Sequence, residues 1–237
     1  MILETIVFLS VLLFIAVLFY KQANEQFEIL QIDATRISEL PTLYQDRSPI
    51  VISDYETPNL GTAEDLYKRK AVLQMPTGRG QSIGQLIQGT MTIQAAEILA
   101  KETGLQIWFE HHLASALIPF YTGFLYSFKC SLWPYKRGMF KTKAFQTLLM
   151  PTQGTATVTL MLQKMIPYLP TKWNTRTFES LTLQDTPLLN QIQFIDITVR
   201  KGTLLVLPAH LIADIKGDAW TFIAEIHHPI SRIFRDT

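Results

Sequence analysis

The stretch from Phe194 to Ile215, FIDITVRKGTLLVLPAHLIADI, leaves this chain few ways to fold. Ile195, Ile197 and Val199 alternate with Asp196, Thr198 and Arg200, the two-residue period of a strand with one buried face. Lys201-Gly202 then turns the chain, and Thr203 to Leu207 is a short apolar run of the kind buried on both faces. Pro208 has no N–H to give a ladder and closes that strand, and His210 to Ile215 begins the next. Strand, glycine turn, buried strand, proline, strand is the local pattern of a small antiparallel barrel or sandwich, with Leu205, Val206 and Leu207 in its core.

The rest of the chain supplies partners for those strands. Phe27 to Ile32, Pro49 to Ser53, Gln106 to Glu110, Phe140 to Met150, Thr155 to Leu162 and Trp220 to Ile226 all read as strands. Ile37 to Tyr44 suits one or two helical turns around Pro41. Thr62 is placed to cap a helix over Ala63 to Gln74, and Thr92 to Glu102 forms another that ends at Gly104. Pro167, Pro170, Trp173 and Pro187 mark a long connection, the kind of segment that often serves as a functional rim. The expected domain is mainly β over 29–237, with helical decoration at about 37–104 and a β core at about 105–230.

Ile2 to Tyr20 is apolar except for Glu4, Thr5 and Ser10, close to the ~20 residues a helix needs to cross a bilayer. No Lys or Arg precedes it and no A-x-A-like site follows, so an uncleaved transmembrane anchor over 1–21 and a polar stalk over 22–28 are expected. Lys21 and Arg36 follow the span, which by the positive-inside bias makes this a single-pass membrane protein whose domain faces the cytosol. A net charge of +1 gives no basic field for nucleic acid, and 237 residues suffice for one good-sized domain. Lys136, Arg137, Lys141 and Lys143 read as a solvated loop beside Trp133 and Tyr135. A single cysteine, Cys130, excludes an internal disulfide framework.

Few residues invite chemistry. Thr77 to Gly84 holds three glycines at G-x-G-x-x-x-G spacing with no strand before it, so it reads as a flexible turn rather than a phosphate cradle. Cys130 lacks a local base and reads as a small core residue. His111-His112 beside Glu110, and His227-His228 after Glu225, are adjacent pairs. On a strand, neighbours face opposite ways and cannot present both rings to one ion. The alternation of Phe124, Tyr126 and Phe128 and the four tryptophans read as packing.

Three stretches together resemble the cupin-like relatives of Jumonji-type oxygenases, of a kind also seen in large DNA viruses: ILQIDATRISELPTLYQDRSPIVISDY from Ile29, KAFQTLL before Met150-Pro151, and RKGTLLVLPAHLIADI from Arg200. The resemblance implies a double-stranded β-helix, a cupin-like barrel of two facing antiparallel sheets. Active members hold Fe(II) with an H-x-D/E pair plus a distant His and bind 2-oxoglutarate beside it. This sequence has no H-x-D/E, and Ala213 stands where the third ligand belongs. His210 with Asp214 is the best remaining candidate pair, and it requires a bulge to change facing. No catalytic residue, metal or cofactor is therefore expected. The reading is a membrane-anchored, non-catalytic cupin-like binding or scaffold module. Its partners would be membrane lipid through the N-terminal helix and an unidentified protein or small molecule. An oxygenase with atypical ligands and a structural membrane or virion component are the alternatives.

Overall fold

The computed structural model describes residues 28–228 apart from 45–46, 78–79, 119–125 and 136, together with residues 5, 7–11 and 14. The described residues near the N-terminus are helical, and Val7, Phe8, Leu9, Val11 and Phe14 are exposed; most of the expected anchor from Ile2 to Tyr20 lies outside the described residues. Among the described residues no helix is long and apolar enough to cross a membrane.

Ten strands form two sheets: β1 (Leu30–Asp33), β2 (Ile50–Ser53), β3 (Ser127–Trp133), β4 (Arg137–Lys141), β5 (Gln146–Gln153), β6 (Thr155–Leu162), β7 (Phe194–Arg200), β8 (Leu204–Pro208), β9 (Leu211–Gly217) and β10 (Trp220–His227). One sheet has the order β1-β2-β8-β5-β10-β3, the other β4-β9-β6-β7. From β3 onward the chain changes sheet at every step except the β6–β7 hairpin and the return from β9 by way of β10 to the larger sheet follows the same alternation. Among the described strands only β1 and β2 pair in parallel.

The apolar periods explain the layering. Leu149, Leu205, Leu207 and Ile223 of the larger sheet meet Val158, Leu160, Val199, Ala213 and Ile215 of the smaller one in a core between the sheets. The opposite face of the larger sheet, through Leu148, Met150, Leu204, Val206, Phe222 and Ala224, packs on the helices. The outer face of the smaller sheet is covered by the 163–193 connection, where Met165, Leu169, Leu181 and Ile192 pack on Met161 and Ile212. Gly138 permits this: a Cβ there would lie 2.8 Å from the carbonyl of Arg176, which accepts from Met139 N.

The helices are α1 (Leu40–Leu43), α2 (Ala63–Lys68), α3 (Lys70–Leu73), α4 (Ile83–Gln88), α5 (Ile93–Glu102), α6 (Leu105–Trp108) and α7 (Ala114–Leu117). Thr62 and Thr92 cap α2 and α5 as their sequence positions require. The single helix expected from Ala63 to Gln74 breaks at Arg69 into α2 and α3.

Two expectations are corrected. Gln106 to Glu110 is not a strand: α6, a π-helical turn over Phe109–Leu113 and α7 run on from Gly104, which is left-handed at φ 82°. Leu105, Phe109, Leu113 and Leu117 recur every four residues and are all fully buried, a helical stripe that outweighs the short alternating pattern. Phe140 to Met150 is likewise not one strand. It crosses from β4 to β5, and therefore from one sheet to the other, through Thr142 to Phe145.

Candidate functional site

One end of the two-sheet stack, where β4 passes to β5, β8 turns into β9 and β10 ends, gathers the polar side chains. The turn there is tied by Thr142. Its hydroxyl donates to Pro208 O at 2.8 Å and accepts from Leu211 N at 2.9 Å, while Thr142 O accepts from His210 N at 2.9 Å. His210 takes φ 71°, so its ring leaves both strand faces and lies 3.1 Å from Gln163 Oε1 through Nδ1. Partial burial, with Lys141 and Arg47 nearby, holds that imidazole below its ordinary pKa.

Beside this turn a pocket of about 680 Å³ opens between Tyr44, Arg47 and Ser48 on one side and the outer face of the larger sheet on the other. Val206, Pro208, Ala144 and Phe145 give it an apolar floor, and Tyr126 meets His228 edge-on at 5.2 Å. Arg47, Lys143 and His210 stand among its described lining residues, with no carboxylate. The Tyr44 hydroxyl and Gln146 Oε1 are both buried there, and the Gln146 amide is the polar group that reaches the phenol. Burial drives the Tyr44 phenol pKa upward, and the Gln146 amide offsets part of the rise.

A second, smaller cleft of about 150 Å³ lies on the inner side of the same sheet, between β3 and β4 and against α5. Strand alternation places Lys129, Ser131 and Trp133 of β3, and Glu225 and His227 of β10, on this inner face. Arg137 of β4 completes it. The guanidinium carbon lies 3.8 Å from the Phe140 ring centroid and 4.9 Å from that of Trp133, and Nη1 has no hydrogen-bond partner. Burial lowers the Arg137 pKa to about 10 despite the Glu225 charge. For Glu225, burial pushes the pKa up, and His227, Arg137 and Lys129 together outweigh it, leaving the carboxyl below its ordinary value. His227 Nε2 is 3.4 Å from Glu225 Oε2, and Lys129 Nζ is 3.0 Å from Glu97 Oε1. Arg137 is thus no solvated loop residue, contrary to the reading of its Lys-Arg-Gly context: two aromatic rings hold it inside the fold.

The remaining sequence candidates are dispersed. Asp214 is fully buried and faces away from the core that holds Ala213, accepting from Phe178 N at 2.7 Å, so the fold does not bring it together with His210. Ala213 pairs laterally with Phe140 and Leu160, all in apolar surroundings. His111 and His112 are exposed on the π-helical turn. His227 and His228 face opposite sides of β10, toward the cleft and the pocket respectively. Cys130 is buried and free, its thiol pKa pushed up by that burial. Within Thr77 to Gly84, Ser82 and Gln85 form a capping box that starts α4; residues 78–79 lie outside the described set. Among the described residues no three His, Cys, Asp or Glu groups are placed to hold a metal ion.

Sequence reasoning did not single out Tyr44, Gln146, Glu225 and Arg137 as a polar end of the fold. They come from separate segments, and only the inward or outward parity of each strand carried a signal. No family model matches the chain, and no curated protein matches it either.

Proposed function

We propose that this chain is a membrane-anchored, non-catalytic binding module built on a double-stranded β-helix, whose end pocket takes a small ligand with an apolar body and an anionic group. The observation that carries the reading is the strand order. Taking β3 to β10 as eight successive strands, four fall in the order β8-β5-β10-β3 and four in the order β4-β9-β6-β7. That order supports the double Greek key of a jelly roll, the arrangement implied by the cupin-like resemblance.

The donor set supports binding without catalysis. A facial triad needs two imidazoles and a carboxylate converging on one ion. The third-ligand position is Ala213, its lateral neighbours are Phe140 and Leu160, and none of the three can coordinate. The residues present do not fit catalytic iron. The pocket has the volume of small-molecule sites, roughly 300–1,000 Å³, and combines an apolar floor with a cationic rim and the buried polar groups of Tyr44 and Gln146. The exposed apolar side chains of Val7, Phe8, Leu9, Val11 and Phe14 support the anchor.

Titration of the full-length chain in detergent with 1-anilinonaphthalene-8-sulfonate, an apolar aromatic sulfonate, tests the pocket. Saturable one-to-one binding is expected, weakened at least tenfold by Ala209→Trp, which fills the pocket. Absence of saturation, or indifference to Ala209→Trp, would remove the pocket reading. Metal analysis tests the other half: stoichiometric Fe(II) retained by the wild type and lost in His210→Ala would make the protein an atypical oxygenase instead.

A further inference from the structure

The inner cleft presents a problem that the end pocket does not solve. Charged groups reach it from every element around it: Glu97 from α5, Lys129 from β3, Arg137 and Lys141 from β4, Lys143 from the segment after β4, and Glu225 with His227 from β10. Lys129 is engaged by Glu97 at 3.0 Å, which leaves Glu225 as the acid facing Arg137, Lys141 and Lys143. Glu225 is turned toward His227, and Arg137 lines the cleft with its Nη1 buried and without a hydrogen-bond partner. A buried guanidinium N–H without an acceptor forgoes a charge-assisted hydrogen bond that an anion could supply. The Trp133 and Phe140 rings lie against that guanidinium and hold it in place beside the cleft, where its planar set of N–H donors suits paired oxygens.

We infer that the cleft between β3 and β4 is a binding site for a small free oxyanion of phosphate or carboxylate size, with Arg137 as its principal ligand and Lys141 and Lys143 at its lip. The size argument is direct. About 150 Å³ is well short of the roughly 300 Å³ at which sites for drug-sized molecules begin, so the occupant is an ion rather than an extended molecule. The charge argument gives its sign, and a planar guanidinium matches the paired oxygens of phosphate or carboxylate. This site is separate from the end pocket: the two lie on opposite sides of the larger sheet and share only Lys143 among their described lining residues.

The test is calorimetric titration of the full-length chain in detergent with inorganic phosphate and, separately, with acetate, at ionic strength held constant with chloride. At least one anion should bind saturably at one per chain. Arg137→Gln should weaken that binding at least tenfold, while Glu225→Gln, which removes the competing carboxylate, should tighten it several-fold. Ala209→Trp should leave it unchanged, separating this site from the end pocket. If Arg137→Gln does not fold, Lys141→Gln and Glu225→Gln decide the matter, since opposite shifts in affinity are expected and shifts in the same direction, or none, overturn the assignment. Failure of both anions to saturate the wild type also overturns it. Dihexanoyl phosphatidic acid carries the same phosphate on a glycerol too large for the cleft and should not compete. Competition at equal affinity would assign the site to a lipid headgroup and end the free-ion reading.

Discussion

Asp214 shows what one residue can impose on the fold. It is wholly buried beneath the 163–193 connection, with one oxygen accepting from Phe178 N at 2.7 Å and the other unpartnered. Burial raises its pKa from 3.8 to about 6, against the opposing pull of the Phe178 N–H and Lys216. A carboxyl whose folded pKa exceeds its unfolded value holds its proton longer in the folded state. Its contribution is therefore complete below the unfolded pKa and is lost as pH rises through the folded one. Between pH 4 and 6 this residue makes the protein less stable with increasing pH, opposite in sign to an ordinary paired carboxylate. Asp214→Asn keeps an acceptor for Phe178 N and removes the charge. The variant should melt higher than wild type at pH 7.5, with the gap closing toward pH 4; a gap independent of pH would show that the charge is not the cause.

At the scale of elements, the segment after Gly104 separates two rules of sequence reading. Ile107 and Phe109 share a face if the segment is a strand and lie on different faces if it is helical. Phe109 is fully buried against Phe128 and Phe222, whereas Ile107 is 59% exposed. Phe109→Ala should cost about 3–5 kcal/mol in thermal or denaturant melts, and Ile107→Ala at most about 0.5 kcal/mol. Equal effects would restore the strand. The C-terminal strands β7 to β10 were legible because alternation, Gly202 and Pro208 all pointed the same way. The 105–117 stretch was not, because a short apolar run fits both a buried helix and a strand, and its four-residue stripe shows only over three turns. Arg137 was illegible for another reason: a Lys-Arg-Gly run reads as a surface turn unless the aromatic rings that clamp it are known to come from β3 and β4. Such lateral placement depends on register between strands, which no local pattern carries.

At the scale of the whole molecule, the anchor and the two-sheet domain are separable claims with separable tests. Full-length protein should stay with membranes through carbonate washing, and its mature N-terminus should precede the apolar run. A mature N-terminus near residue 24, read by mass spectrometry, would mean that the run is cleaved. Leu205 is fully buried between the sheets, so Leu205→Asp should abolish folding of the domain by placing an unpaired charge there. The strand order also fixes a sequence of events in the life of the chain. β3 has a single hydrogen-bonded neighbour, β10, which pairs Ser127 with His227 and also fills the space between β3 and β5. While a ribosome is still making β4 to β9, β3 has no ladder to join; β5 has both edges open until β8 is made and keeps one open until β10 follows. Nascent chains of this protein thus carry at least these two open edges from the completion of β5 until β10 is made, and closure waits on a long-range contact of the slow kind. The interval in which the protein is most open to misassociation is therefore set by the distance along the chain between β3 and β10.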